Sequence, residues 1–228
     1  MYQPMLFLHW KQIKVALIPF VIAAFGLPLV AVQGLGGSIE MTTAAAEAYR
    51  SVAAYGIWMP AYPLLAGGIG ITLALSAWNW DHQLNHVYAL SLPIPRWQYA
   101  TLKMGAGALL AALPALGFWI GAHLAAASVA LPAGLHAYPN ALALRFFLAI
   151  LVTYATLFAM AAGTVKTTAY VVSALFIFLF LGGALNGFLG DIFPYFKEVN
   201  VVQSVMDALL SRHGPLEVFS GSWTLIDV

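Results

Sequence analysis

Five stretches of this chain are long and apolar enough to cross a lipid bilayer, at residues 15–32, 53–78, 104–131, 141–165 and 168–189. A hydrocarbon core of about 30 Å is crossed by about 20 residues of α-helix. No water reaches the backbone at that depth, so each segment must satisfy its own N–H and C=O groups, which a helix does. Composition points the same way. Of the 228 residues 62% are apolar or aromatic and 7% are charged, against about 25% charged in soluble domains. The sequence therefore predicts an all-α integral membrane protein, a single transmembrane domain over residues 1–228 with five spanning helices. Pro19, Pro28, Pro60, Pro63 and Pro114 fall inside the runs, as spanning helices tolerate when neighbours re-satisfy the freed carbonyls.

Several function classes are excluded at this level. A net charge of +1 gives no electrostatic case for nucleic acid. With no cysteine, there is no disulfide framework, thiolate metal site or cysteine nucleophile. The first run exceeds the ~7–15 apolar residues of a signal-peptide core and is read as a retained helix. Lys11 and Lys14 precede that run, Arg96 and Lys103 precede the third, and Lys166 follows the fourth. With alternating helices all five share one side, which the excess of cations makes cytoplasmic. A multi-pass protein of the plasma or inner membrane with a cytoplasmic N-terminus follows. The opposite side carries 34–51, with Glu40, Glu47 and Arg50, and the charge-free stretch 132–140. Beyond the fifth run, Val201, Val202, Val205, Met206, Leu209 and Leu210 form one face and Gln203, Ser204, Asp207 and Ser211 the other. That pattern predicts an amphipathic helix at the outer interface within 192–213. Residues 223–228 read as the start of another helix.

The most informative stretch lies between the second and third runs. It reads Leu90-Ser91-Leu92-Pro93-Ile94-Pro95-Arg96-Trp97-Gln98-Tyr99, followed by Lys103 and a Gly/Ala-rich run. Pro95 suits the first position of a short helix, and Arg96, Trp97 and Tyr99 give it a cation and two interfacial aromatics. This stretch resembles the cytoplasmic loop of the type-2 family of ABC-transporter permeases. The layout resembles the family as well, with an N-terminal interfacial helix at 5–14 and an outer amphipathic segment at 193–212. The family has a glutamate and a Gly-Thr pair upstream where this chain has Asp81, His82, Leu84 and Asn85, and it has a sixth span that this sequence lacks. The resemblance implies a permease subunit of an ATP-driven exporter. Such a subunit pairs with a second permease, identical or homologous, and docks a cytosolic ATP-binding subunit through a coupling helix. Pro93, Pro95, Arg96, Trp97, Tyr99 and Lys103 would serve that contact. No G-x-x-x-x-G-K-[ST] phosphate loop occurs, so ATP and magnesium belong to the partner chain. The permease itself would be neither an enzyme nor a carrier of a cofactor.

Other polar residues carry weaker signals. His82 and His86 stand four apart, a spacing that suits metal, but no third ligand follows; two polar residues at a wet helix end account for them, and no metal site is expected. His9, His123 and His136 fall at different depths, against haem ligation. His123, Arg145 and Asn186 are the candidates for facing a pathway, although Arg145 sits where its guanidinium can snorkel to headgroups. Gly117-x-x-x-Gly121, Gly183-x-x-x-Gly187 and the Gly67-Gly68-x-Gly70 cluster predict close helix approach. Trp10, Trp58, Trp78, Trp80, Trp97 and Trp119 lie near the ends of the runs, as an interfacial belt would.

Two rival classes remain, a membrane-embedded redox or enzymatic subunit and a small secondary transporter. The first needs titratable groups converging at one depth, which the sequence does not reveal. The second needs intramembrane carboxylates or broken helices, and none of the five runs contains Asp or Glu.

Overall fold

The structure, a computed structural model, describes residues 2–33, 58–83, 95–129, 136–163, 201–210, 216–220 and 223–227, with positions 166, 169–170, 173–174, 177 and 214. Five α-helices lie among them: α1 (Tyr2–Gln33), α2 (Trp58–Gln83), α3 (Arg96–Ala127), α4 (Pro139–Ala161) and α5 (Val201–Leu210). The first four are long and apolar enough to cross a membrane. The chain divides into two compact units, one of residues 1–158 and 221–228 and one of residues 159–220.

In the first unit α1 packs along α3. The sequence of α1 is apolar around its whole circumference, so pattern alone cannot say which face turns inward. Packing does say. His9, Ile13, Leu17, Ala24, Pro28 and Ala31 are buried at helical spacing, while Val15, Ile18, Ile22 and Val30 on the other face are exposed. Exposed aliphatic side chains of this kind fit contact with lipid. The close approach rests on the small-residue face of α3. A Cβ at Gly117 would stand 3.2 Å from the Val21 carbonyl oxygen, and one at Gly121 would overlap the Phe25 backbone. Val21 meets Gly117 and Phe25 meets Gly121, so the two helices run parallel. Both numbers rise together, and this register carried backwards brings Phe7 level with Lys103 and His9 level with Gly105.

Aromatic side chains join α2, α3 and α4. Phe118 stacks on Phe146 with centroids 4.1 Å apart, and Tyr62 meets Phe118 edge-on at 5.4 Å. The edge-on geometry suits the ring quadrupoles. At the far end of α3, β1 (His136–Ala137) pairs antiparallel with β2 (Ile226–Asp227), His136 opposite Asp227 and Ala137 opposite Ile226. In the second unit the last turn of α5 accepts a hydrogen bond from the Leu216 N–H at Leu209 O, 2.9 Å, and a 3-10 turn follows at Glu217–Phe219.

Several sequence expectations are corrected. The interfacial helix at 5–14 and the span at 15–32 are one continuous helix, α1. The second helix runs to Gln83 rather than to residue 78, which draws Asp81 and His82 into it. Likewise α3 begins at Arg96 and continues unbroken to Ala127, so no separate short helix precedes the third span. In each case bilayer thickness set the expected end, whereas a helix continues until its hydrogen-bond ladder stops, beyond the hydrocarbon if need be. Residues 223–227 are extended and paired in β2, not helical. Trp78 is buried rather than interfacial, its Nε1–H donating to the Phe158 carbonyl at 3.0 Å. Of the fifth run, only 169–170, 173–174 and 177 are described, and they are helical. The segments 192–200 and 211–213, the Gly183-x-x-x-Gly187 pair, Trp58 and Trp80 as side chains, and the loops at 34–51 and 84–94 lie outside the described residues.

The glycine faces give a direct test. Gly121→Val should destabilise the α1·α3 pair by about 1–3 kcal/mol or more, because backbone rather than a flexible side chain occupies the space. Gly67 has nothing within 4 Å of its Cβ position, so Gly67→Ala should be neutral or slightly stabilising through helix propensity. Thermal unfolding of the two variants in detergent compares them, and equal behaviour would remove the close approach.

Candidate functional site

A buried charge cluster forms where the end of α2 meets the start of α3. Asp81 lies in the last turn of α2, where the helix dipole presents its negative end and disfavours a carboxylate. Its stabilisation must therefore come from elsewhere, and α3 supplies it. Tyr99 and Lys103 stand four residues apart, so one helix face presents both. The Lys103 ammonium donates to Asp81 Oδ2 at 2.5 Å. The Tyr99 hydroxyl lies 3.0 Å from Oδ1 and 3.1 Å from Oδ2, and Lys103 Nζ is 3.3 Å from that hydroxyl. Asp81 is 2% exposed and Lys103 7%.

Neighbouring side chains complete the enclosure. Lys103 Nζ sits 4.6 Å from the Trp78 ring and 5.0 Å from the Tyr99 ring, at cation–π range. The Tyr154 hydroxyl of α4 donates to the Lys103 carbonyl at 3.3 Å. A Cβ at position 107 would overlap that hydroxyl, so Gly107 makes room for the contact. From α1 comes His9, 4% exposed, whose Nε2 has no hydrogen-bond partner among the described residues. Four helices thus send polar groups to one level of the bundle. The Asp81 carboxylate is matched by one ammonium and one hydroxyl, the arrangement that a low-dielectric interior demands of a buried charge.

The residues singled out in the sequence divide sharply here. Pro95 occupies the N-cap position of α3, one residue before the helix starts, and its carbonyl accepts the Tyr99 N–H at 3.2 Å. Arg96 and Trp97 are exposed, Trp97 at 66%, whereas Tyr99 and Lys103 are committed to Asp81. Pro93 and His86 lie outside the described residues, as does Asn186. Among the described residues no group of three or more His, Cys, Asp or Glu is placed to hold a metal.

Arg145 is half-buried. Its guanidinium lies 4.6 Å from the ring of Trp223, a buried residue of the C-terminal segment. His123 contacts Asn140 Oδ1 through Nε2 at 2.9 Å, and the same oxygen accepts the Trp119 Nε1–H at 2.8 Å. That grouping ties α3 to the start of α4, at the opposite end of α3 from Lys103.

Sequence reasoning missed Asp81, Trp78, Tyr154 and His9. The available signal was the Tyr99/Lys103 pair at i, i+4, which asks for an acid; Asp81, read as a loop residue, was the nearest one upstream. With Asp81 inside α2, one carboxylate does lie within a helix of spanning length, and titratable groups do converge.

The pair should behave as a unit. Lys103→Met leaves a lone buried carboxylate and should cost about 3–5 kcal/mol, with Asp81→Leu costing a similar amount by stranding the ammonium. Asp81→Leu with Lys103→Met should cost clearly less than the two single effects added, because no unpaired charge remains. Denaturant unfolding of the three variants in micelles measures this, and strictly additive effects would mean that the pair is not energetically coupled. No protein-family model, curated protein or solved structure matches this chain.

Proposed function

We propose that this chain is the permease subunit of an ATP-driven exporter of the type-2 ABC class, docking a separate ATP-binding subunit at the start of α3. The observation that carries the reading is the exposed corner Pro95-Arg96-Trp97. An indole 66% exposed stands beside an exposed guanidinium, and Trp and Arg are among the residues enriched as anchors of protein interfaces. The corner lies at the end of the bundle that also holds Lys11 and Lys14, given the parallel register of α1 and α3. That cation-rich end is the cytoplasmic one by the charge bias, and the membrane is the plasma or inner membrane. Hydrolysis of ATP, with its magnesium, takes place on the partner, and this chain carries no enzyme activity or cofactor. A second permease chain completes the pathway. The exposed apolar faces of α1 and α2, with Val15, Ile22, Leu64 and Leu75, are available to it or to lipid.

One observation favours a second reading. The Asp81–Lys103 pair inside two helices of spanning length is the kind of group that ion-coupled carriers use. Such a secondary transporter would respond to the membrane potential or proton gradient and not to ATP supplied by a partner.

Arg96→Ala with Trp97→Ala should weaken association with the ATP-binding subunit by about 2 kcal/mol or more, roughly thirtyfold in affinity. Folding and insertion should be preserved, because both side chains are exposed. Pull-down of the ATP-binding subunit by the double variant measures this; wild-type retention would mean that the two residues only anchor α3 to headgroups. Orientation is tested separately, because the chain has no cysteine of its own. A membrane-impermeant maleimide should label Gln83→Cys only after the cytoplasmic face is opened and Ala141→Cys in intact cells. The reverse pattern would invert the topology.

A further inference from the structure

We propose that Asp81, Tyr99 and Lys103 are positioning residues of the coupling step, a latch that makes α2 follow any displacement delivered to the start of α3. The inference rests on the docking corner described under Proposed function and adds to it the route by which motion leaves that corner.

Between Arg96 and Lys103 there are two turns of one unbroken helix, about 10 Å at 1.5 Å per residue. A push on Arg96 or Trp97 therefore arrives at the latch without passing a hinge. What lies across the latch is α2, and the nature of the contact decides whether it follows. Apolar contacts between helices in lipid resist sliding poorly, because lipid tails replace a lost neighbour at little cost. The latch behaves differently. Three donor–acceptor distances of 2.5, 3.0 and 3.1 Å converge on one carboxylate, and pulling the ammonium from it would leave two buried charges unpaired. Displacement of a few ångströms is then strongly opposed, in any direction.

Stability alone gives a poor reason for such a contact. Replacing a buried ion pair by apolar residues of similar volume is often neutral or stabilising. The pair also stands at a level where α3 meets polar side chains of α2 and α4. Trp78, whose ring faces Lys103 Nζ, ties α2 to the Phe158 carbonyl of α4, and Tyr154 of α4 holds the Lys103 carbonyl. His9 of α1 is buried as well. A directional contact in that position links the docking corner to the rest of the bundle.

The experiment uses the permease co-purified with its ATP-binding subunit and reconstituted in vesicles. A single cysteine carries an environment-sensitive fluorophore at Leu64 in α2 or at Ala127 in α3, both exposed. In the wild-type background, magnesium with a non-hydrolysable ATP analogue should shift emission at both positions. In the charge-free pair Asp81→Leu/Lys103→Met, the α3 signal should persist and the α2 signal should be lost, with the ATP-binding subunit still attached. The swapped pair Asp81→Lys/Lys103→Asp should restore part of the α2 signal. A purely structural pair would lower the unfolding temperature of the charge-free variant and leave both signals per folded complex unchanged, and that result overturns the latch. A wild-type protein that retains no ATP-binding subunit and responds at neither position overturns the exporter reading, and the latch with it. Failure of the latch alone is recognised by a responding wild type.

Discussion

A carboxylate placed at the end of a mostly apolar helix, away from water, sets the terms for everything near it. Asp81 is 2% exposed, and an isolated charge in such a place would either be neutralised or unfold its surroundings. The structure meets the demand from the adjacent helix, with one full countercharge and one hydroxyl. That solution fixes much of the local geometry. Tyr99 and Lys103 must share a face, so the residues around them must be helical. The start of α3 must lie beside the end of α2, and α4 must come close enough for Tyr154 to reach the Lys103 carbonyl, which requires a glycine at position 107. Electrostatics here selects one register among many that apolar packing would tolerate.

Elsewhere the bundle depends on contact rather than charge. Lipid offers apolar side chains an environment as good as a neighbouring helix, so burial as such drives little association. Dispersion between closely fitted surfaces must supply it. Gly117 and Gly121 allow the α3 backbone to reach that of α1, and the stacked Phe118–Phe146 pair brings α4 against the same helix. In this unit α3 is therefore the axis, in touch with α1 by backbone, with α2 by charge and with α4 by aromatic rings.

The parts legible in the sequence were those governed by composition and local spacing. Apolar length found four of the helices that cross-membrane dimensions allow, and the Gly117-x-x-x-Gly121 spacing found a real close approach. Helix ends were less legible. Hydropathy falls where the bilayer ends, but nothing obliges the hydrogen-bond ladder to stop there, so α1 extends back to Tyr2 and α3 begins at Arg96. The charge cluster was hidden for the same reason. Once Asp81 was read as part of a loop, its distance from Tyr99 and Lys103 in the chain gave no cue that they meet. The C-terminal segment misled in another way. Residues 223–227 have the apolar character of a helix start, yet their backbone pairs with His136–Ala137 and their tryptophan lies under Arg145. Both are contacts with residues far away in sequence.

The first eight residues of α3 hold two opposed kinds of side chain, and helical periodicity explains how. Tyr99 and Lys103, four residues apart, face α2 and are buried; Arg96 and Trp97 precede the first of these turns and are exposed. Pro95 cannot donate a backbone hydrogen bond and holds its own φ at −58°, so the chain enters the helix at a defined angle. An exposed corner and a charged grip on the neighbouring helix are thus two turns apart on one unbroken helix. Had the two been separated by a flexible joint, strength in either would be lost on the other. Joined as they are, the stiffness of a single α-helix is enough to connect an event at the exposed end to the interior of the bundle.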